Sequence, residues 1–179
     1  MQKIVLTFGL IAGVVMSAMF LITLPFLDQI GFDNGMLVGY TSMVAAFLMV
    51  YFGVRTYRDQ VGGGAITFGR AFGVGLAITL VASVCYVLVW QIVYYNFAPD
   101  FIDKYIAYTI DKARAAGATA AELEATRSEM ADFKVMYDNP VINAAITILE
   151  PLPVGVLMSL ISAGVLKRGR ANGALAGTA

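Results

Sequence analysis

Of the chain's 179 residues, 59% are hydrophobic and only 13% are charged, with a mean hydropathy of +0.77. A soluble domain carries about 25% charged residues, so the composition excludes an ordinary water-soluble fold and predicts an all-α integral membrane protein. Twelve basic and twelve acidic residues cancel, which makes their placement the informative quantity. The single Cys85 excludes a disulfide framework, and the lack of histidine removes the commonest general base and metal ligand.

In chain order, the run Ile4–Leu24 holds about 21 apolar or small residues, enough to cross a hydrocarbon core of roughly 30 Å at about 1.5 Å per residue. Lys3 precedes it and Pro25 ends it. A signal peptide shares the positive start, but this apolar core is long for one and lacks an A-x-A-like cleavage site, so a retained helix is expected. Asp28–Gly35 carries two aspartates and no basic residue, and reads as an external turn before a second run, Met36–Val54. Tyr51–Gly75 then joins two apolar runs through a glycine-rich connection bearing Arg55, Arg58 and Arg70. Because Lys and Arg collect in short cytoplasmic loops, this connection is predicted to lie inside the cell.

Phe72–Tyr95 forms a third run, ending in Trp90, Tyr94 and Tyr95, aromatics that favour the headgroup boundary. From Pro99 to Pro140 the composition changes to eight acidic and five basic residues with helical periodicity. Phe101, Tyr105 and Tyr108 give one helix an aromatic face. Gly117 breaks it, and Thr119-Ala-Ala-Glu122 reads as a capping box opening a second helix, along which Leu123, Met130, Phe133 and Tyr137 form a stripe. Asn139-Pro140 ends or kinks it. The fourth run, Val141–Leu166, contains Glu150-Pro-Leu-Pro153 and stops at Lys167, Arg168 and Arg170, before a small-residue tail expected to be disordered.

The predicted architecture is a four-transmembrane-helix bundle with spans at about 4–25, 36–54, 70–96 and 141–166, an external two-helix insertion at 97–140 and a cytoplasmic tail at 167–179. The proposed interior then holds seven basic residues against Asp59 alone, and the exterior five against eleven acids. That bias predicts both termini in the cytoplasm.

Several pieces together carry a resemblance: Gly53-Val-Arg-Thr-Tyr-Arg-Asp59, Gly62-Gly-Gly64, Thr67-Phe-Gly-Arg-Ala-Phe-Gly73, the Tyr86 to Trp90 segment, Pro99-Asp-Phe101 and Glu150-Pro-Leu-Pro-Val-Gly155. In these the chain resembles the bacterial "domain of unknown function 4199" family over nearly its whole length. The resemblance implies a four-helix bacterial membrane protein with a helical external insertion between its last two spans. It implies no activity.

Lipid offers no hydrophobic drive between helices, so close approach must come from small side chains. Ladders recur every four residues at Gly9, Gly13 and Ser17, at Gly69, Gly73 and Ala77, and at Gly155, Ser159 and Ala163. They predict a compact bundle, or a homodimer or membrane-protein complex if one ladder faces outward.

The central loop combines glycines, arginines and a helix start at Thr67–Arg70, the ingredients of an anion site. Arg55, Arg58 and Arg70 are candidate contacts for anionic lipid headgroups. They serve equally as topology anchors, with Arg55 paired to Asp59, and the loop lacks the Gly-Lys-Ser/Thr ending of a nucleotide-binding loop. Carboxylate pairs such as Glu122 with Glu129 and Asp100 with Asp103 read as solvated faces, and no metal-cage spacing occurs. Glu150 is the one ionisable residue inside a predicted span. Counting about 16 residues back from Lys167 places it roughly 25 Å up, near the height of Gln91 and Tyr94 on the third span. These three form a candidate polar site in the membrane, read either as a structural knot or as a proton-, cation- or ligand-linked group.

No cofactor, metal or nucleic-acid partner is expected; membrane lipids are. The leading functional expectation is a non-catalytic scaffold or accessory subunit. A transporter or lipid-handling protein using Glu150 and the cytoplasmic arginines is the alternative, and an enzyme is disfavoured because no nucleophile–base pair is evident.

Overall fold

The computed structural model describes residues 1–169 and is helical almost throughout, with no strand among the described residues. Arg170 and the rest of the tail expected to be disordered lie outside the described residues. Helix α1 covers Gln2–Thr23 and α2 Leu27–Gln60, joined by one 3₁₀ turn at Leu24–Phe26. Then come α3 (Phe68–Asn96), α4 (Phe101–Ala115), α5 (Ala120–Tyr137), α6 (Pro140–Leu149) and α7 (Pro151–Leu166). Three helical stretches are long and apolar enough to cross a membrane, 2–60, 68–96 and 140–166, with window hydropathies of 2.4, 2.3 and 1.9. The molecule is a membrane protein.

Within the first stretch, α1 and α2 pack against each other, with Phe8 lying against Gly53 near the far end of α2. The reversal falls inside the expected turn at Asp28–Gly35 but is far shorter, with helix on both sides of Gly31. Pro25 does stop α1, but the chain re-enters helix at once at Leu27, with Asp28 in the first turn where a negative charge suits the helix dipole. Gly31 alone leaves the helical region, at φ 78° and ψ 158°, a conformation only glycine adopts without strain. One residue thus does the work of a predicted loop.

Helices α1, α2, α3 and α7 pack side by side around buried Phe47, Val50, Val54 and Ile78. The small-residue ladder of α1 lies on α3: a Cβ added at Gly9 would come within 2.6 Å of Val81 Cβ, and one at Gly13 within 2.6 Å of Cys85 Cβ. The ladder of α7 also faces inward, with Gly155 set against Thr79 and Ser159 fully buried. The third ladder does not. Gly69 and Gly73 have nothing within 4 Å of an added Cβ, and the close approach of α3 to α7 runs instead through Ala71, Gly75, Thr79 and Ser83, all buried. The shift of two residues, about 200° around α3, from the expected face follows from its two partners, α1 and α7, which must both find small residues.

Helices α4 and α5 form a hairpin at one end of this bundle, the end opposite the Gly62–Gly64 turn. Gly117, at φ 86°, separates them. The capping box is formed in full: Thr119 Oγ1 accepts from the Glu122 amide at 3.3 Å, and the Thr119 amide donates to Glu122 Oε2 at 2.7 Å. Asn139 caps α6, its Oδ1 accepting from the amides of Val141 and Ile142 at 3.0 and 3.3 Å.

Candidate functional site

The aromatic face of α4 does not lie on lipid or chiefly on α5. Phe101, Tyr105 and Tyr108 surround Phe32 of α2, with ring centroids at 5.8, 5.7 and 5.1 Å. Two lysines of α4 reinforce the contact: Lys104 meets Asp28 at 3.0 Å and Lys112 meets Asp33 at 2.6 Å. Hydrogen bonds from Lys112 and Tyr108 hold the Asp33 carboxyl below its usual range. Helix α5 is tied to α4 through Lys134 and Asp103, and Tyr137 at its end is buried with Trp90, Tyr94 and Ile102. The hairpin thereby roofs the end of the bundle.

Beneath this roof lies a cavity of about 490 Å³, within the range of about 300–1,000 Å³ usual for small-molecule sites. Residues of all the helices from α1 to α6 line it. Its wall is apolar, with Met16, Met19, Met36 and Met43 beside Phe20 and Trp90, and methionine adapts its shape to irregular apolar guests. Among the described residues that line it, Glu150 is the one carboxylate, and Glu150 is exposed. Tyr86 donates its hydroxyl to Glu150 Oε2 at 3.2 Å, which leaves the other carboxylate lone pairs for a guest.

Glu150 is not joined to Gln91 or Tyr94, the partners expected for it. Gln91 Nε2 donates to Asn143 Oδ1 at 2.9 Å and to the Pro140 carbonyl at 3.3 Å, and the Tyr94 hydroxyl donates to Asp138 Oδ1 at 2.9 Å. The cause is the position of α6, whose start at Pro140 brings Asn139–Asn143 to the height of Gln91 while Glu150 falls lower, level with Tyr86. Pro151 and Pro153 contribute a kink there: the Thr147 carbonyl, deprived of a donor by Pro151, takes the Glu150 amide at 3.3 Å.

Asn143 is the member of this network that sequence reasoning missed. It is fully buried, with Nδ2 donating to the Tyr137 carbonyl at 3.3 Å and Oδ1 also accepting from Thr147 Oγ1 at 3.4 Å. Trp90 Nε1 donates to the Tyr137 hydroxyl at 3.0 Å. A lone Asn within an apolar run was the available signal, since such a side chain must find partners inside the protein.

At the opposite end, Arg58 Nε lies 2.7 Å from Asp59 Oδ1 and Arg55 Nε 3.8 Å from Asp59 Oδ2. The hydrogen bond from Arg58, with the charges of Arg58 and Arg55, holds Asp59 below the usual carboxylate range. Arg70 is separate from that group and donates its Nε to the Tyr57 hydroxyl at 3.1 Å. The three arginines are therefore not one cluster.

The chain belongs to the family described as "Protein of unknown function (DUF4199)", which matches residues 7–168. No curated protein and no solved structure matches it.

Proposed function

We propose that this chain, as a member of a family without an assigned activity, is a multi-pass protein of the bacterial inner membrane. In this reading it has four spans and both termini in the cytoplasm. It binds a long-chain amphiphile in the cavity under the α4–α5 hairpin and performs no catalysis. The four-span reading is supported by the first helical stretch: its 59 residues would extend roughly 90 Å as one rod, about three times the hydrocarbon thickness, and they fold back on themselves. The bias of six described basic residues, Lys3, Arg55, Arg58, Arg70, Lys167 and Arg168, against Asp59 alone supports a cytoplasmic location for the Gly62–Gly64 end, which makes residues 97–140 external.

The observation that carries the binding reading is the cavity itself, apolar and Met-rich with a single carboxylate–phenol pair on its wall. A long-chain molecule with one hydrogen-donating head group fits that distribution, because Glu150 accepts and the methionines and aromatics take the chain. Trp90, the sole tryptophan, lines the cavity and reports occupancy directly. Titrating the detergent-solubilised protein with a dibrominated long-chain alcohol should quench Trp90 saturably. Gly39 lines the cavity with nothing within 4 Å of an added Cβ, so Gly39→Phe should fill the space and abolish saturable quenching. Glu150→Gln should weaken it. Quenching that rises linearly and equally in all three proteins refutes the reading.

A second reading, the scaffold or accessory subunit, is favoured by one observation. Gly69 and Gly73 of the third ladder face away from the bundle and meet no neighbour, while Ala77 packs against the core. Close association with another membrane helix along that face gives the reading its physical form. Crosslinking through a cysteine placed at Gly73 tests it, and a lack of adducts in native membranes counts against it.

A further inference from the structure

A second cavity, of about 430 Å³, lies at the Gly62–Gly64 end, far from the amphiphile cavity and independent of that reading. Its lining joins Tyr57 at the end of α2, Thr67 and Arg70 at the start of α3, and Arg168 just past α7. The segment after α7 is stitched to the loop by a two-way bridge, the Ile66 amide donating to the Arg168 carbonyl at 3.0 Å and the Arg168 amide to the Ile66 carbonyl at 2.9 Å. That bridge fixes Arg168 beside Arg70 across a hundred residues of chain.

The donors are arranged. Tyr57, only 2% exposed, accepts Arg70 Nε at 3.1 Å while the guanidinium sits over its ring, 5.9 Å from the centroid. Arg70 is thus held by Nε and ring, which leaves both of its NH₂ groups as a fork for an anion. The Tyr57 hydroxyl, having accepted from Arg70, keeps its own proton to donate. Thr67 repeats the pattern: its Oγ1 accepts the Arg70 amide at 3.4 Å, and its proton remains. Among the described residues no carboxylate lines the cavity, and nearby Asp59 is engaged by Arg58 and Arg55. Two arginines lining one pocket, with no acid among its described residues, define a site for a negative charge with several acceptor oxygens. Val61, Ala65 and Ile66 supply an apolar shoulder, which suits an esterified group better than a bare ion.

We propose that Tyr57, Thr67, Arg70 and Arg168 form a binding site for a phosphate group, presented by an anionic lipid headgroup or by a soluble phosphate ester. This replaces the expected trio of Arg55, Arg58 and Arg70, of which only Arg70 belongs to the site.

The test titrates the detergent-solubilised full chain with short-chain phosphatidylglycerol, short-chain phosphatidylcholine and inorganic phosphate, and follows the thermal unfolding midpoint. Phosphatidylglycerol should raise the midpoint saturably and phosphatidylcholine should not. Each arginine supplies a charge-assisted contact, so R70Q and R168Q should each weaken binding about tenfold. Y57F keeps the ring that packs in the core and loses one donor; it should weaken binding severalfold with the unliganded midpoint preserved, which keeps the test decisive if an arginine variant fails to fold. A saturable shift with inorganic phosphate that shares this sensitivity assigns the site to soluble phosphate esters. The proposal is overturned if neither probe binds saturably, or if R70Q, R168Q and Y57F all bind as the parent does.

Discussion

Replacing Asn143 by Leu, a side chain of similar volume, removes three polar contacts from the roofed end of the bundle. Gln91 loses its bond to Oδ1 at 2.9 Å but keeps the Pro140 carbonyl at 3.3 Å. Thr147 loses a long bond of 3.4 Å and can turn to its own helix. The Tyr137 carbonyl loses the Nδ2 donor at 3.3 Å and has no comparable substitute. One interhelical bond in a membrane protein contributes about 0.6–1.7 kcal/mol, and an abandoned buried carbonyl costs about 1–3 kcal/mol. Since the leucine recovers some packing, the net loss should be about 2 kcal/mol. A double-mutant cycle with Gln91→Met isolates the α3–α6 bond: unfolding of the four proteins from mixed micelles should give a coupling of about 0.6–1.7 kcal/mol. Additivity within about 0.3 kcal/mol would falsify the claim that Gln91 and Asn143 hold the two helices together.

Gly13→Ala, whose Cβ would lie 2.6 Å from Cys85 Cβ, should cost about 1–3 kcal/mol, while Gly73→Ala, with nothing within 4 Å, should be neutral or slightly stabilising in thermal unfolding; equal effects would contradict the assignment of faces. Lys112 and Tyr108 lower the Asp33 carboxyl below its ordinary value of 3.8, so its contribution to stability is present above that value and lost only as pH falls through the lower folded-state value. A carboxyl NMR titration should show that midpoint, and Lys112→Met should move it back up. For topology, thiol labels at Ala118→Cys and Gln60→Cys should be reached from opposite sides of the membrane, and labelling from one side alone would sink the four-span reading.

The features legible in the sequence are those whose physics is local. The Thr119–Glu122 box and the stop at Gly117 involve only neighbouring residues, and both formed where expected. What resisted reading was rotation about helix axes. On α3, buried Val74 and Ile78 are chemically the same as exposed Leu80, Val84 and Leu88, because lipid and protein interior are equally apolar and no hydropathy contrast marks the inner face. Glycine spacing was the remaining guide, and it favoured Gly69 and Gly73 over the mixed set Ala71, Gly75, Thr79 and Ser83. The partner of Glu150 was misplaced for a related reason: heights were counted along straight rods, whereas Pro151 lies at the junction of two helices. Tyr86, one level below Gln91, was the residue within reach.

The contact between Thr79 and Ser159, 80 positions apart, also bears on how the protein is made. At about 5–20 residues per second, α3 waits roughly 4–16 s for α7 to be synthesised, with its small and hydroxylated face turned to lipid or to the insertion machinery. Two of the hydroxyls on those faces are satisfied within their own helices from the start. Thr79 donates to the Gly75 carbonyl at 3.1 Å and Ser159 to the Gly155 carbonyl at 2.7 Å, so neither hydroxyl needs the other before the helices meet. Docking then adds van der Waals contact at the glycines and asks neither of these two hydroxyls for a new partner, whereas Ser83 of α3 and Ser162 of α7 are buried without one.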